Sequence, residues 1–191
     1  MQNANIWQAL PDKPCITGRC IDIIQANLQV DSHQQNKLFA LLTPQEQQRA
    51  KRFHFAKHQR RFIAARSYLR QILSRYLLLA PADIVFNYAR HGKPSLISDQ
   101  NNIDLRFNMS HSEEYAIYAI TQSCEIGVDI EYQRDRNLLG IAERFFSKSE
   151  QQQLRQLPQE KQAAAFFHIW AQKEAIIKAI GQGLSYPLED F

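Results

Sequence analysis

Apolar and polar positions alternate along this chain in two styles, short runs of period two and longer stretches of helical spacing. Residues 19–25, RCIDIIQ, read as a first strand. At Thr43-Pro44 an N-cap is followed by a proline at the first helical position, with Glu46 three residues after the cap, as in a capping box. From there Phe53, Phe62, Ile63, Tyr68, Leu69, Ile72, Leu73, Tyr76 and Leu77 recur at roughly helical spacing up to a break at Pro81, with a bend in HQRRF at 58–62. IVFNYARHGKPSL carries strand-like residues and a Gly-Lys-Pro turn. LRFNMSHS and YAIYAITQSCEIGVDIE look like β-structure, the second a hairpin turning near Gln122-Ser123. Beyond it the pattern becomes helical. Ser147-Lys148-Ser149-Glu150 is a capping box, and AAAFFHIWAQKEAIIKAIGQG reads as a helix ended by Gly181 and Gly183. The fold class expected is α+β.

Composition narrows this picture. A chain of 191 residues, 45% hydrophobic and 22% charged, fits one soluble domain or two small fused ones. The start, MQNANIWQALPDKP, has neither the basic nor the apolar region of a secretory leader, and no run approaches the ~18 apolar residues of a membrane span. Cys15, Cys20 and Cys124 are odd in number and match no metal or redox spacing, so they read as reduced thiols of a cytoplasmic protein. The net charge of +4 is unevenly spread. Between Gln47 and Ala82 there is no acidic residue, while Arg49, Lys51, Arg52, Lys57, Arg60, Arg61, Arg66, Arg70 and Arg75 are basic. Such a block points to an anionic partner, with a solvated basic helix face as the alternative.

Candidate chemistry centres on GVDIE. In a strand, Asp129 and Glu131 share a face, about 6–7 Å apart along the backbone, and like charges so held repel unless a cation or proton lies between them. A solvated strand end is the plainer alternative. Trp170, Glu174 and Lys178 follow at intervals of four on one helix face, where a Glu–Lys pair is most simply a surface ion pair. If Glu174 meets Asp129 and Glu131 in space, three carboxylates without Cys or His suit a hard ion such as Mg²⁺ or Mn²⁺, and Lys178 is then set to neutralise charge on a phosphate. Ser110 and His111 are neighbours in a strand and point to opposite faces, which argues against a serine hydrolase. His111 fits a phosphate or ring contact, or a structural histidine. His54 and His58 have zinc-compatible spacing but no evident third ligand, and Lys93 sits on a tight turn where a bound anion is in reach. Two other readings use the same residues. A nucleic-acid-binding module would use the helix of residues 49–75 but leaves the acids unexplained. A metal-dependent nuclease commonly needs Glu-x-Lys on one strand, whereas Lys178 follows Glu174 by a helical turn.

The order FNMSHS (107–112), IGVDIE (126–131), FFSKSE (145–150) and WAQKEAIIKAIGQGL (170–184) resembles the 4′-phosphopantetheinyl transferases. The likeness, from about Thr43 to Phe191, is to the larger pseudo-dimeric type that activates peptide and polyketide synthetases, not to the small trimeric holo-acyl-carrier-protein synthases. The resemblance implies two similar α+β halves, residues 1–125 and 126–191, each a helix packed on a small antiparallel sheet. It implies Asp129, Glu131 and Glu174 as magnesium ligands, Mn²⁺ being possible, with Glu174 and Lys178 as catalytic residues. Arg49, Arg52, Lys93, Ser110 and His111 would hold coenzyme A, the histidine at its 3′-phosphate, while Phe53 and Trp170 are structural. The implied reaction is Mg²⁺-dependent transfer of 4′-phosphopantetheine from coenzyme A to a serine of an apo acyl, peptidyl or aryl carrier protein, releasing 3′,5′-ADP. A cytoplasmic monomer is implied, with no nucleic-acid or membrane partner. Members of this type continue past GLSYPLEDF with further strands, so the second half is expected to be incomplete at Phe191.

Overall fold

The structure, a computed structural model, describes residues 9–14, 16, 20–134, 137–183 and 186–191. Strand β1 (Asp22–Asn27) leads into helices α1 (Ser32–Ala40), α2 (Pro44–Lys51) and α3 (Ala56–Leu77). The hairpin β2 (Phe86–Tyr88) and β3 (Pro94–Leu96) follows, then β4 (Leu105–Ser112) and β5 (Tyr115–Gln122). Three helices close the order: α4 (Leu138–Phe145), α5 (Lys148–Gln156) and α6 (Gln159–Ile180). The main sheet is antiparallel in the order β1-β5-β4, and β5 sits in its centre because its residues are buried on both faces. The fold is thus α+β, as expected. Among the described residues no helix is long and apolar enough to cross a membrane.

Local chemistry sets several of these boundaries. Both capping boxes are formed: Thr43 and Ser147 accept from the backbone of Glu46 and Glu150, whose carboxylates accept from the cap nitrogens in return. α6 ends where Gly181 takes a left-handed φ of 78°. The chain breaks between α2 and α3 at Arg52–Phe55, earlier than the bend expected at HQRRF, so residues 58–62 are regular helix. The first strand begins at Asp22, and Arg19, at the start of the expected run, lies outside the described residues, as does Cys15. Cys20 and Cys124 are free and exposed.

The larger correction concerns the hairpin. β5 pairs with β4, not with GVDIE; the turn falls at Glu113-Glu114, and Ser112 faces Tyr115 in the register. Residues 126–131 form no strand ladder. They are pinned beside β4 by side chains: Asn108 Oδ1 accepts from the Val128 amide at 3.0 Å and Ser112 Oγ from the Tyr132 amide at 3.0 Å. Among the described residues after Gln122 the regular elements are helices and short turns, without a sheet.

Two apolar clusters hold the elements. The first lies between the main sheet and α1 and α3, where Leu69, Leu73 and Tyr118 are buried and Tyr118 donates its hydroxyl to the Ala65 carbonyl at 2.8 Å. The second gathers Ala142, Phe146, Leu154, Phe166 and Phe167 from α4, α5 and α6. Trp170 stacks on Phe166 and meets Phe145 edge-on, and Phe53 packs on Phe62, which are structural roles as expected. Lys173 is buried beside this cluster, its ammonium bonded to Glu150 Oε2 at 2.9 Å and to the carbonyls of Leu188 and Phe191. That lysine fastens residues 186–191 to α6.

Candidate active site

A missing side chain brings the two parts of the site together. A Cβ on Gly127 would fall 1.9 Å from the Ala175 carbonyl oxygen and 2.5 Å from the Ala179 amide nitrogen. Only glycine lets the segment before Asp129 rest directly on the backbone of α6. Two residues on, Asp129 is delivered beside β4 and α6 at once. Its Oδ1 accepts from Ser110 Oγ at 2.8 Å and from the Lys178 ammonium at 2.5 Å, and Lys178 also donates to Ser110 Oγ at 2.9 Å. The Asp129 side chain is only 4% exposed, and its Oδ2 is buried without a hydrogen-bond partner.

Glu174 stands on α6 one turn before Lys178. Loss of solvation raises its pKa above the ordinary carboxylate range; Lys178 acts in the opposite sense, and the charges of Asp129 and Glu131 add to the rise. The three acids are therefore within electrostatic reach of one another. They are not drawn into a cluster: among the described residues no three His, Cys, Asp or Glu side chains are grouped closely enough to hold a metal ion. Lys178 is the cation that neutralises Asp129 in this arrangement. The donor set still fits a hard divalent ion, since all three groups are carboxylates and Asp129 Oδ2 is an orphaned buried oxygen.

Two cavities join end to end above this centre. One of about 270 Å³ is lined by Lys93, Asn108, Glu174, Ile177 and Lys178, among others. The next, of about 400 Å³, is lined by Arg49, Phe62, Arg66, Tyr88 and His111, and shares Gly92, Pro94 and Met109 with the first. Ser110 is buried and His111 turns outward, the opposite-face arrangement expected of neighbours in β4. Desolvation, then the nearby charges of Lys178 and Arg61, hold the His111 imidazole below its ordinary range. Arg49 lies over the Phe62 ring at 5.2 Å. Arg52 caps α2, is exposed, and lines neither cavity. Lys93 does sit on a tight turn, with Gly92 at φ 82°, but its ammonium is bonded to Glu125 Oε2 at 2.6 Å and the Ala179 carbonyl at 2.7 Å.

The basic block is less free than the sequence suggests. Glu46 accepts from Arg66 at 2.5 Å and from Arg70 at 2.8 Å; burial works to raise its pKa, but these two hydrogen bonds outweigh it and hold the carboxylate below the ordinary range. Arg60 and Arg61 bond Glu114, Arg61 also bonds Glu113, and Arg75 donates to the Leu10 carbonyl. Arg49, Lys51, Arg52 and Lys57 remain outside these pairs, with Lys51 over the Phe39 ring. Sequence reading missed Gly127 as the contact point with α6 and Glu125 as the partner of Lys93. A glycine before an acid was the available signal for the first; none pointed to the second.

A cleft that runs from cations at one end to an Asp–Ser–Lys centre beside a desolvated glutamate has the make-up of a phosphoryl-transfer site. Comparison with known proteins gives the family. Residues 29–123 match the family model described as 4′-phosphopantetheinyl transferase, N-terminal, and residues 125–191 match that of the 4′-phosphopantetheinyl transferase superfamily. The chain is 37% identical over 180 residues to 4′-phosphopantetheinyl transferase HetI of Nostoc sp., covering 94% of this chain and 76% of that protein. It is 35% identical over 161 residues to 4′-phosphopantetheinyl transferase Sfp of Bacillus subtilis, covering 84% and 70%. A third relative, 4′-phosphopantetheinyl transferase ffp of Bacillus subtilis, is 37% identical over 156 residues, covering 82% and 67%. The chain belongs to the 4′-phosphopantetheinyl transferase superfamily, and to its larger type. It spans between 51% and 76% of the length of the curated relatives cited here and of a mouse relative, L-aminoadipate-semialdehyde dehydrogenase-phosphopantetheinyl transferase.

Proposed function

We propose that this protein transfers the 4′-phosphopantetheine arm of coenzyme A to a serine of an apo carrier protein, releasing 3′,5′-ADP. The observation that carries the reading is the junction of Ser110, Asp129 and Lys178, of which Lys178 lines, with Glu174, a cleft that continues to His111 and Arg49. Coenzyme A lies along that cleft, its 3′-phosphate toward His111 and Arg49 and its pyrophosphate toward Lys178. The incoming serine oxygen forms a bond to the β-phosphorus as the bond from that phosphorus to the bridging oxygen of the ADP breaks. Glu174 is the base for the serine proton, being desolvated yet beside the Lys178 charge. Lys178 meets the negative charge that grows on the departing phosphate, and Ser110 orients that ammonium. Asp129, Glu131 and Glu174 would hold Mg²⁺, or Mn²⁺ in its place, which supplies charge neutralisation to the pyrophosphate when bound.

The division into halves at residues 125 and 126 belongs to the same reading, as does action as a monomer in the cytoplasm. A nucleic-acid-binding module is the weaker alternative, because Arg60, Arg61, Arg66, Arg70 and Arg75 are already engaged within the fold. Incubation of an apo carrier protein with coenzyme A, followed by intact-mass measurement with and without EDTA, tests the proposal. A mass gain of one phosphopantetheine group that EDTA abolishes is expected. An unmodified carrier under metal-replete conditions refutes it.

A further inference from the structure

Lys93 borders two cavities, and its ammonium is bonded to a carboxylate that lines only the outer one. It lines the 270 Å³ chamber that holds Glu174 and Lys178, and also a separate cavity of about 290 Å³ beyond it, lined by Ser98, Asn101, Asp104, Arg106 and Glu125. Its nitrogen is bonded to Glu125 Oε2 at 2.6 Å and the Ala179 carbonyl at 2.7 Å. Glu125 lines the outer cavity and neither chamber of the cleft.

The partners of Glu125 make that contact easy to leave. Its second oxygen, Oε1, accepts from Arg106 Nη1 at 2.9 Å, and Arg106 is braced by Asp104 Oδ1 at 2.9 Å. With its side chain 57% exposed, Glu125 keeps a cation and water when Lys93 departs. Lys93 is different: its side chain is 16% exposed, and its stem runs along Gly181, where a Cβ would lie 3.4 Å from Cδ. The absent side chain at Gly181 leaves that stem a smooth wall at the end of α6.

We propose that Glu125 is a positioning residue that parks Lys93 on the outer side of the cleft. The pyrophosphate or 3′-phosphate of coenzyme A must draw the ammonium back, so Glu125 tunes affinity for the anionic co-substrate through Lys93. The proposal rests on reading the cleft as the coenzyme A site. No bond is made or broken in the step; one ion pair is exchanged for another. A carboxylate that competes for a binding lysine weakens anion binding by roughly the worth of a partly exposed pair, so its removal strengthens binding about threefold.

The test is a double-mutant cycle on the full chain, read by calorimetric titration with coenzyme A and by carrier-loading kinetics. Glu125→Gln is expected to lower the Kd and the KM for coenzyme A roughly threefold, with the change in KM and not kcat. In a Lys93→Met background the same substitution should yield only a small residual gain from the lost negative charge. Glu125→Asp, which keeps the carboxylate, should return most of the wild-type affinity. An equal shift in both backgrounds overturns the inference, and so does weaker coenzyme A binding by Glu125→Gln. A large fall in thermal stability of Glu125→Gln without tighter binding would make the contact a structural staple, which also overturns it. If the wild type binds no coenzyme A, the functional reading fails along with it; if the wild type binds and loads a carrier but the cycle is additive, only the role of Glu125 fails.

Discussion

Replacing Gly127 with alanine tests the packing on which the whole site depends. The added Cβ would lie 1.9 Å from the Ala175 carbonyl oxygen and 2.5 Å from the Ala179 nitrogen, both backbone atoms of α6 that have no rotamer to change. Reaching the 3.4 Å of ordinary contact means moving segment and helix apart by about 1.5 Å. Forced overpacking of this kind costs about 1–3 kcal/mol. In a domain of this size that is a fall in Tm of about 2–4 °C per kcal/mol. The effect on the centre should be larger than the effect on stability. Asp129 is two residues away, and its 2.5 Å contact with Lys178 does not survive a shift of that size. A 1 Å misplacement at a reacting centre can cost about a hundredfold in rate. Scanning calorimetry and the carrier-loading assay, run side by side, measure both. Gly140→Ala is the control: its Cβ would press, at 2.7 Å, on the side chain of Asn137, which caps α4 through the Gly140 amide. It is expected to cost at most about the 1 kcal/mol of a cap, partly offset by helical alanine, with turnover unchanged. If Gly127→Ala keeps the wild-type Tm and turnover, the contact with α6 is not what places Asp129, and the reasoning is wrong.

Glu46→Gln should lower stability by about 3–5 kcal/mol in urea unfolding, because Arg66 and Arg70 are left buried without their counter-charge. The pKa of Glu46 is depressed in the fold, so its contribution is complete above the ordinary value of 4.5 and is lost as pH falls through the depressed value. The gap between wild type and Glu46→Gln should therefore narrow only below about pH 4.5, and a gap that closes at neutral pH would contradict the pairing. Asp129→Asn should cut carrier loading roughly a hundredfold or more while leaving the far-UV spectrum unchanged. Lys173→Met should expose residues 186–191 to hydrogen exchange, since the Leu188 and Phe191 carbonyls lose their donor, and unaltered protection there would show that the latch lies elsewhere.

What the sequence made legible was what neighbours in the chain decide. Thr43 with Glu46 and Ser147 with Glu150 declare their helix starts within four residues, and Gly181 declares an end. α1 was missed although Asp31 caps it through the Gln34 amide, because its sequence SHQQNKLFA carries too few apolar positions for periodicity to register. The strand reading of GVDIE failed for a physical reason. Its apolar run reflects a buried Ile126 and half-buried Val128 and Ile130 in a segment that rests on α6 and is tied to β4, and such burial says nothing about which backbone groups pair. The order of motifs nevertheless carried the assignment to the family, since Ser110, Asp129 and Lys178 meet although 68 residues separate the first from the last.

Charge was the hardest property to read along the chain, and the basic block shows why. Its acid-free length from Gln47 to Ala82 is real, yet the partners that neutralise it lie outside that window. Glu46 is one residue before it and turns inward to serve the capping box and two arginines together. Glu113 and Glu114 are more than fifty residues from Arg60 and Arg61 and meet them only because the β4–β5 turn folds against the start of α3. Arginines on the inward side of α3 are thus fold-forming, whereas Arg49 lines the cleft outside these pairs and, under the proposed function, is available to an anion. The same logic governs Lys93, whose availability to a ligand depends on Glu125, a residue 32 positions later that no local pattern connects to it. An anion site in this fold is defined by which cations its own carboxylates leave free, and that subtraction can be made only in three dimensions.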